Sequence, residues 1–554
     1  MTSTSLTSSH DLEAGTPFPA KTVNSDHCDS RSDCSFTQTQ VARARQAFPL
    51  TIKGATPTVI PPEHPFRTLV LCFDGTGDQF DIDNSNVVLL FSMLKKDDTK
   101  KQMCYYQAGV GTYFNPQVAT PFMSKISKSL DMALAWDLHA HVMDGYEFLM
   151  QNYTSGDRIC LFGFSRGAYT ARALAGMLHK VGLLPQCNHQ QVPFAYKMFT
   201  RTDDLGWRQS TAFKKCFSID VDIEFIGVWD TVNSVGIIPR RLPFTTSNTA
   251  VRTFRHALAL DERRARHKAN LWNRPSADEA KLGTDAALPA SLTPNSNTTV
   301  TSLLDAKMNG DGGDGHTTNL SHFEARYEAL YKKSGNILTD VEEVWFAGCH
   351  CDIGGGSVPN GAPFSLARIP LRWMIRECFK TQTGIMFDAA ALRTIGLNPA
   401  TLYPVVLAQP PAIAVRGIKL QASPKKKAQS GIRKWNIESV ESVSELRGVA
   451  ELWRLEIEAE LKDATCPLYD QLMLAPAWWM LEVLPMKQRY QKSDNTWVDA
   501  LTFNFAHPRF IPEQDEHGIK VHRSVRTRMQ MEPVNGGKKY VPRARFDVEP
   551  EWVD

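Results

Sequence analysis

Four times between residues 67 and 350 the chain runs through a short apolar stretch and then breaks into small or polar residues. RTLVLCF (67–73) stops at Asp74-Gly75-Thr76-Gly77, RICLFGF (158–164) at Ser165, IEFIGVW (223–229) at Asp230, and VEEVWFAG (341–348) just before His350. Runs dominated by apolar residues, without regular in/out alternation, suit strands buried on both faces. Amphipathic stretches such as Met132 to Met150 lie between them. Strands alternating with helices predict an α/β fold, a mostly parallel sheet with helices on both faces.

The pattern also divides the chain. Residues 1–65, rich in Ser, Thr, Pro and charge, are expected to form a disordered leader, because they bury too little to offset the entropy of ordering. Residues 66–380 carry the α/β alternation, interrupted at 275–322 by a polar, Gly-rich surface insertion. Its DGGDG string raises a calcium reading. Counted from Asp305, however, Lys307 and His316 stand where an EF-hand loop needs an oxygen ligand and a Glu, so a loop is the reading adopted. Residues 381–554 are read as a C-terminal extension or cap packed on the first domain. A net charge of +3 points to no nucleic-acid partner. Single, scattered cysteines and an N-terminus without an apolar h-region lead us to expect a reduced, cytoplasmic protein. The stretch Leu472–Met486 is shorter than the roughly twenty apolar residues of a bilayer span, and Pro476, Glu482 and Pro485 interrupt it.

Chemistry enters at Gly163-Phe164-Ser165-Arg166-Gly167, a G-x-S-x-G between a strand and the helical AYTARALAGML. A serine in so tight a turn projects clear of the sheet, and Gly163 and Gly167 let strand and helix approach. The backbone N–H of Arg166 is placed to stabilise an oxyanion, with a second donor expected from Gly75 or Thr76 and Asp74 supporting their turn. A serine hydroxyl needs a base, and the base an orienting carboxylate. His350 and Asp230 stand at later strand ends in the order Ser, acid, His found in α/β-hydrolases. Asp352 is the alternative acid, or else a carboxylate that fixes the Gly-rich turn. Cys349, His350, Cys351 and Asp352 are too closely spaced for a metal cluster, so no metal or other cofactor is expected.

FDGTGDQ, GFSRGAYTAR, FIGVWDTVNSVG, HALALDERR and GCHCDIGGG, in this order over about residues 67–380, resemble the α/β-hydrolase family related to the phospholipase effectors of bacterial type VI secretion. WWMLEVLP and VHRSVRTRM resemble C-terminal features of its fungal members. The resemblance implies a lipolytic serine hydrolase with Ser165 as nucleophile and His350 as base. Asp230 matches the family's WDT motif, although the family's acid need not be that aspartate, and Cys351 stands where Ser is frequent. The DERR charges, Asp261 to Arg264, are read as salt bridges tying a helix to a loop, and His522 as a packed or surface residue.

The expected partner is a lipid or other ester substrate. Trp478 and Trp479 either meet a membrane interface, aided by the basic tail, or fill the core beneath the extension. A soluble small-molecule esterase and a catalytically silent scaffold are the two rival readings.

Overall fold

The computed structural model describes residues 56–109, 123–232, 242–272, 324, 339–412, 415, 418–423, 451–491, 497–533 and 538–554. The leader up to residue 55, the 275–322 insertion with its calcium alternative, and most of the SPKKKAQSG loop lie outside the described residues.

The central sheet has eight strands: β1 (Thr68–Phe73), β2 (Gln102–Gln107), β3 (Arg158–Phe164), β4 (Ile223–Trp229), β5 (Val251–Ala259), β6 (Asp340–Phe346), β7 (Lys520–His522) and β8 (Glu551–Val553). Their spatial order is β8-β7-β6-β5-β4-β3-β1-β2, and every neighbouring pair is parallel. The four apolar runs are the core of β1, β3, β4 and β6.

Alternate side chains of these strands enter opposite layers. Leu69, Leu71, Ile159 and Leu161 pack with Leu138, Val142, Leu174 and Leu178 of helices α1 (Met123–Asn152) and α2 (Ser165–Val181). Val70, Cys72, Cys160 and Phe162 pack on the other face with Trp373, Met374 and Ile375 of a later helix, Arg368–Lys380. Each Leu, Ile or Phe buried in this way contributes about 1.5–3 kcal/mol, so the helical layers on both faces stabilise the sheet and shield it from solvent.

Register then brings the strand ends together. Phe164 of β3 lies beside Trp229 of β4, so Ser165 and Asp230 are the first residues beyond adjacent strands. Ala259 of β5 lies beside Phe346 of β6, and His350 follows four residues later, opening a short helix, His350–Gly354. All three residues therefore emerge at the carboxyl edge, where open parallel sheets build their sites.

The C-terminal portion extends this sheet. β7 pairs with β6 and β8 with β7, and Val521 and Val525 pack with Trp345, Leu258 and Leu260. Among the described residues no helix is long and apolar enough to cross a membrane.

Candidate active site

Ser165 begins α2 directly from β3 with φ +58°, a left-handed conformation that β-carbons disfavour. The turn is as tight as its glycines allow. A Cβ on Gly163 would stand 2.5 Å from the Gly167 carbonyl oxygen, and one on Gly167 2.3 Å from the carbonyl oxygens of Phe73 and Asp74. No other residue type fits either position without moving backbone. The close approach also sets the turn after β1 against the serine turn.

The three candidate side chains converge. His350 Nε2 lies 2.8 Å from Ser165 Oγ, and His350 Nδ1 lies 2.5 Å from Asp230 Oδ2. All three residues are buried. Asp230, with φ +42°, turns its carboxylate back over the sheet, where Oδ1 accepts the N–H of Ala259 at 2.9 Å. Phe164 packs tilted against the imidazole at 4.7 Å between ring centroids, and His267 meets it edge-on at 4.8 Å.

Asp230 is also gripped by Arg509, from the C-terminal portion. Its Nη2 donates to Oδ2 at 2.8 Å and its Nη1 to Oδ1, so the guanidinium fork faces both carboxylate oxygens. Burial works to raise the Asp230 pKa, but the Arg509 charge, with the His350 hydrogen bond and charge, outweighs it and holds the carboxyl well below the usual carboxylate range. Burial lowers the His350 pKa, the Asp230 hydrogen bond and charge raise it, and the Arg264 charge lowers it again. The net effect favours the neutral imidazole.

HALALDERR does not continue into a helix. Val251–Ala259 is strand β5, and Asp261 to Arg264 form the loop beyond it. Arg255 and His256 are accommodated inside the sheet because each has a carboxylate, Glu377 at 2.7 Å and Glu343 at 2.8 Å. The loop acids hold the His350 turn. Asp261 accepts the Gly348 N–H at 2.8 Å, and Glu262 accepts the His350 N–H at 3.2 Å while pairing with Arg264 at 2.9 Å. Tyr540 and Arg543 in turn donate to Asp261 at 2.8 and 3.1 Å.

Asp352 lies away from the ring nitrogen that Asp230 occupies. Its carboxylate accepts the N–H groups of Cys349 at 2.9 Å and Tyr469 at 3.0 Å, which closes the short helix with a capping box. Burial pushes its pKa up to about 7 against those two hydrogen bonds. His522 is packed far along the sheet, stacked on Phe346 at 4.9 Å with Nδ1 at 2.8 Å from Ser524 Oγ.

At the turn after β1, Asp74 accepts from Ser85 Oγ at 2.6 Å, Tyr106 Oη at 2.7 Å and the Gly75 N–H at 2.8 Å. The Gly75 N–H is thus engaged by Asp74; Thr76 stands next along the turn, and Arg166 is the second residue of α2. Burial, with the charges of Asp74, Asp81 and Asp83, pushes the neighbouring Asp78 up to about 8, so a neutral carboxyl rather than an anion adjoins the turn. A polar cavity of about 470 Å³, lined by Arg252, Arg255, Asp340 and Glu377, lies at the opposite edge of the sheet, remote from Ser165.

Sequence reasoning missed Arg509, Glu262, His267 and Phe164 as neighbours of the Ser165, His350 and Asp230 side chains. For Arg509 the only local signal is a cation within the largely apolar LTFNFAHPRF.

Residues 67–377 match the family model described as T6SS, phospholipase effector Tle1-like, catalytic domain. The chain belongs to this Tle1-like family. Ser165, Asp230 and His350 fall inside the matched segment, whereas Arg509, Tyr540 and Arg543 fall outside it. An uncharacterized protein of Saccharomyces cerevisiae, YEL023C, is 28% identical over 571 residues, covering 88% of this chain and 81% of its own. An uncharacterized protein from Pseudomonas aeruginosa, known as a crystal structure, is 17% identical with a TM-score of 0.29, the match covering 58% of this chain and 46% of that one. The Tle1 effector bound to the VgrG spike of the type VI secretion system is 17% identical with a TM-score of 0.25, over 56% and 57% of the two chains. The chain spans about half the length of these solved structures.

Proposed function

We propose that the protein is a serine hydrolase that cleaves carboxylic esters of phospholipids through an acyl-enzyme. The observation that carries this reading is the continuous hydrogen-bonded line from Ser165 Oγ through both nitrogens of His350 to Asp230. His350 Nε2 takes the serine proton as Oγ attacks the ester carbonyl, and Asp230 stabilises the imidazolium that forms. Thr76 and Arg166 are the proposed backbone donors to the oxyanion. The imidazolium then protonates the leaving alcohol, and a water activated by the same nitrogen releases the fatty acid. Cofactor-free chemistry suffices for each step.

The phospholipid assignment draws on the family and on the surface beside the site. In the segment 471–485 the sole ionisable side chain, Glu482, points inward, accepting from Ala265 N at 2.7 Å and from Ala506 N at 2.9 Å. Met480, Val483 and Leu484 point outward, joined by Phe503 and Phe505. Trp478 is half-buried against His267, 5.3 Å away, while Trp479 is exposed. An outward apolar face of this kind suits peripheral contact with lipid.

The test uses a fluorophosphonate probe and phosphatidylcholine vesicles. The parent should be labelled and should release fatty acid, and Ser165→Ala should do neither while keeping its melting temperature. Equal labelling of the two proteins would remove Ser165 as nucleophile. Turnover of short-chain esters with no rise at the micelle threshold would point to a soluble esterase instead, and an unlabelled parent to a silent scaffold.

A further inference from the structure

The guanidinium of Arg509 is satisfied on every side. Besides its two bonds to Asp230, Nε donates to the His267 carbonyl at 3.0 Å, Nη2 donates to the same carbonyl at 2.6 Å, and Nη1 reaches the Ala259 carbonyl at 3.3 Å. The side chain is 2% exposed and its partner carboxylate 0%. A planar fork opposite a planar carboxylate leaves the latter no freedom to rotate. Asp230 Oδ2 therefore stays directed at His350 Nδ1, and Nε2 at Ser165.

We propose that Arg509 is a positioning residue for the hydrolytic reaction, so that the site is composite: the matched domain supplies Ser165, His350 and Asp230, and the C-terminal portion supplies the clamp that aligns them. This rests on the serine-hydrolase reading. Arg509 acts through Asp230 and touches neither serine nor substrate. It does two things there. It fixes the carboxylate in the plane that the imidazole needs, and it shares the carboxylate charge, which weakens the pull of Asp230 on a proton at His350.

The second effect separates alignment from mere support. The charged and titratable groups facing the pair are His256 beside Asp230, Glu262, Arg264 and His267 around His350, and Lys268 near Arg509. Removing the Arg509 cation leaves Asp230 the dominant unneutralised charge, which favours the imidazolium. The base then becomes active only at higher pH.

The experiment uses the full chain with phosphatidylcholine vesicles and the fluorophosphonate probe, comparing the parent, Arg509→Met and Arg509→Lys. For Arg509→Met, kcat should fall about a hundredfold, the loss typical of a misplacement near 1 Å, with KM changed less than about threefold since the residue makes no substrate contact. The acid limb of kcat/KM should move to higher pH. Arg509→Lys keeps the charge without the fork. It should hold the limb at the parent position while recovering only part of kcat. If Arg509→Met does not fold, the lysine variant carries the test through its kcat loss at a preserved melting temperature. A Met variant with parental kcat, or a lysine variant with parental kcat where Met does not fold, would overturn the proposal. So would losses that follow melting temperature with an unmoved pH limb. An unlabelled parent would remove the hydrolase reading and this role together, whereas a labelled parent with indifferent 509 variants would remove this role alone.

Discussion

Replacing Asp230 by Asn tests the acid most severely, because the structure assigns four donors to its two oxygens. Oδ1 receives Arg509 and the Ala259 N–H, and Oδ2 receives Arg509 and His350 Nδ1. An amide has one acceptor oxygen, so its NH2 must face donors in either orientation. At the Oδ1 position it meets Arg509 and a fixed backbone N–H. At the Oδ2 position it meets the other Arg509 nitrogen and His350, and the imidazole can adapt by shifting its proton to Nε2, where it cannot accept the serine proton. The expected loss in kcat is about 10⁴-fold, as for the same change in a serine protease triad, or about 5 kcal/mol of transition-state stabilisation. Weakening the buried Arg509 pair should also destabilise the fold, by up to about 3–5 kcal/mol. Asp352→Asn is the matched control. Its oxygen can still accept from Cys349 and Tyr469, and with a pKa near 7 the carboxyl already carries its proton much of the time at neutral pH. Its kcat should change by less than about tenfold. Vesicle hydrolysis and probe-labelling rates, each read beside a melting curve, give the answer. An Asp352→Asn loss equal to that of Asp230→Asn, with both proteins folded, would refute the reasoning.

Because burial and Arg264 favour the neutral imidazole of His350, the acid limb of kcat/KM should have its midpoint below the ordinary histidine value of 6.5, activity being present above the limb and lost as pH falls through it; a midpoint above 6.5 would contradict this. Gly354→Ala would put a Cβ 1.9 Å from the ring of Phe164, which packs against His350, so differential scanning calorimetry should show a loss of about 1–3 kcal/mol together with a fall in kcat. Tyr540→Phe removes a donor to the buried Asp261, and urea unfolding should register a loss of about 1–3 kcal/mol with KM unchanged.

Much of this arrangement was legible in the chain. β1, β3 and β4 announce themselves because nearly every residue is apolar, β6 by its apolar second half, and the serine, aspartate and histidine stand at breaks in those runs. β5 was hidden by Arg255 and His256. Their polar side chains break the apolar run, and only the contacts with Glu377 and Glu343, both far along the chain, make them tolerable inside a sheet. β2, QMCYYQ, is an edge strand of half-buried, mixed character, while β7 and β8 have three residues each, too few to show a period. Arg509 was illegible for a different reason. An arginine in an apolar segment has no local signature of its partner, and Asp230 lies 279 residues earlier.

The placement of β7 and β8 has a consequence for biosynthesis. The sheet acquires its two edge-side strands β7 and β8, and Asp230 its guanidinium, from residues 509–553, which the ribosome makes well after Ser165 and His350. A nascent polypeptide that has already produced the serine turn and the histidine still lacks the finishing pieces. On the composite arrangement proposed above, hydrolytic competence would mature only once the segment carrying Arg509 has been made and docked, long after the serine turn itself.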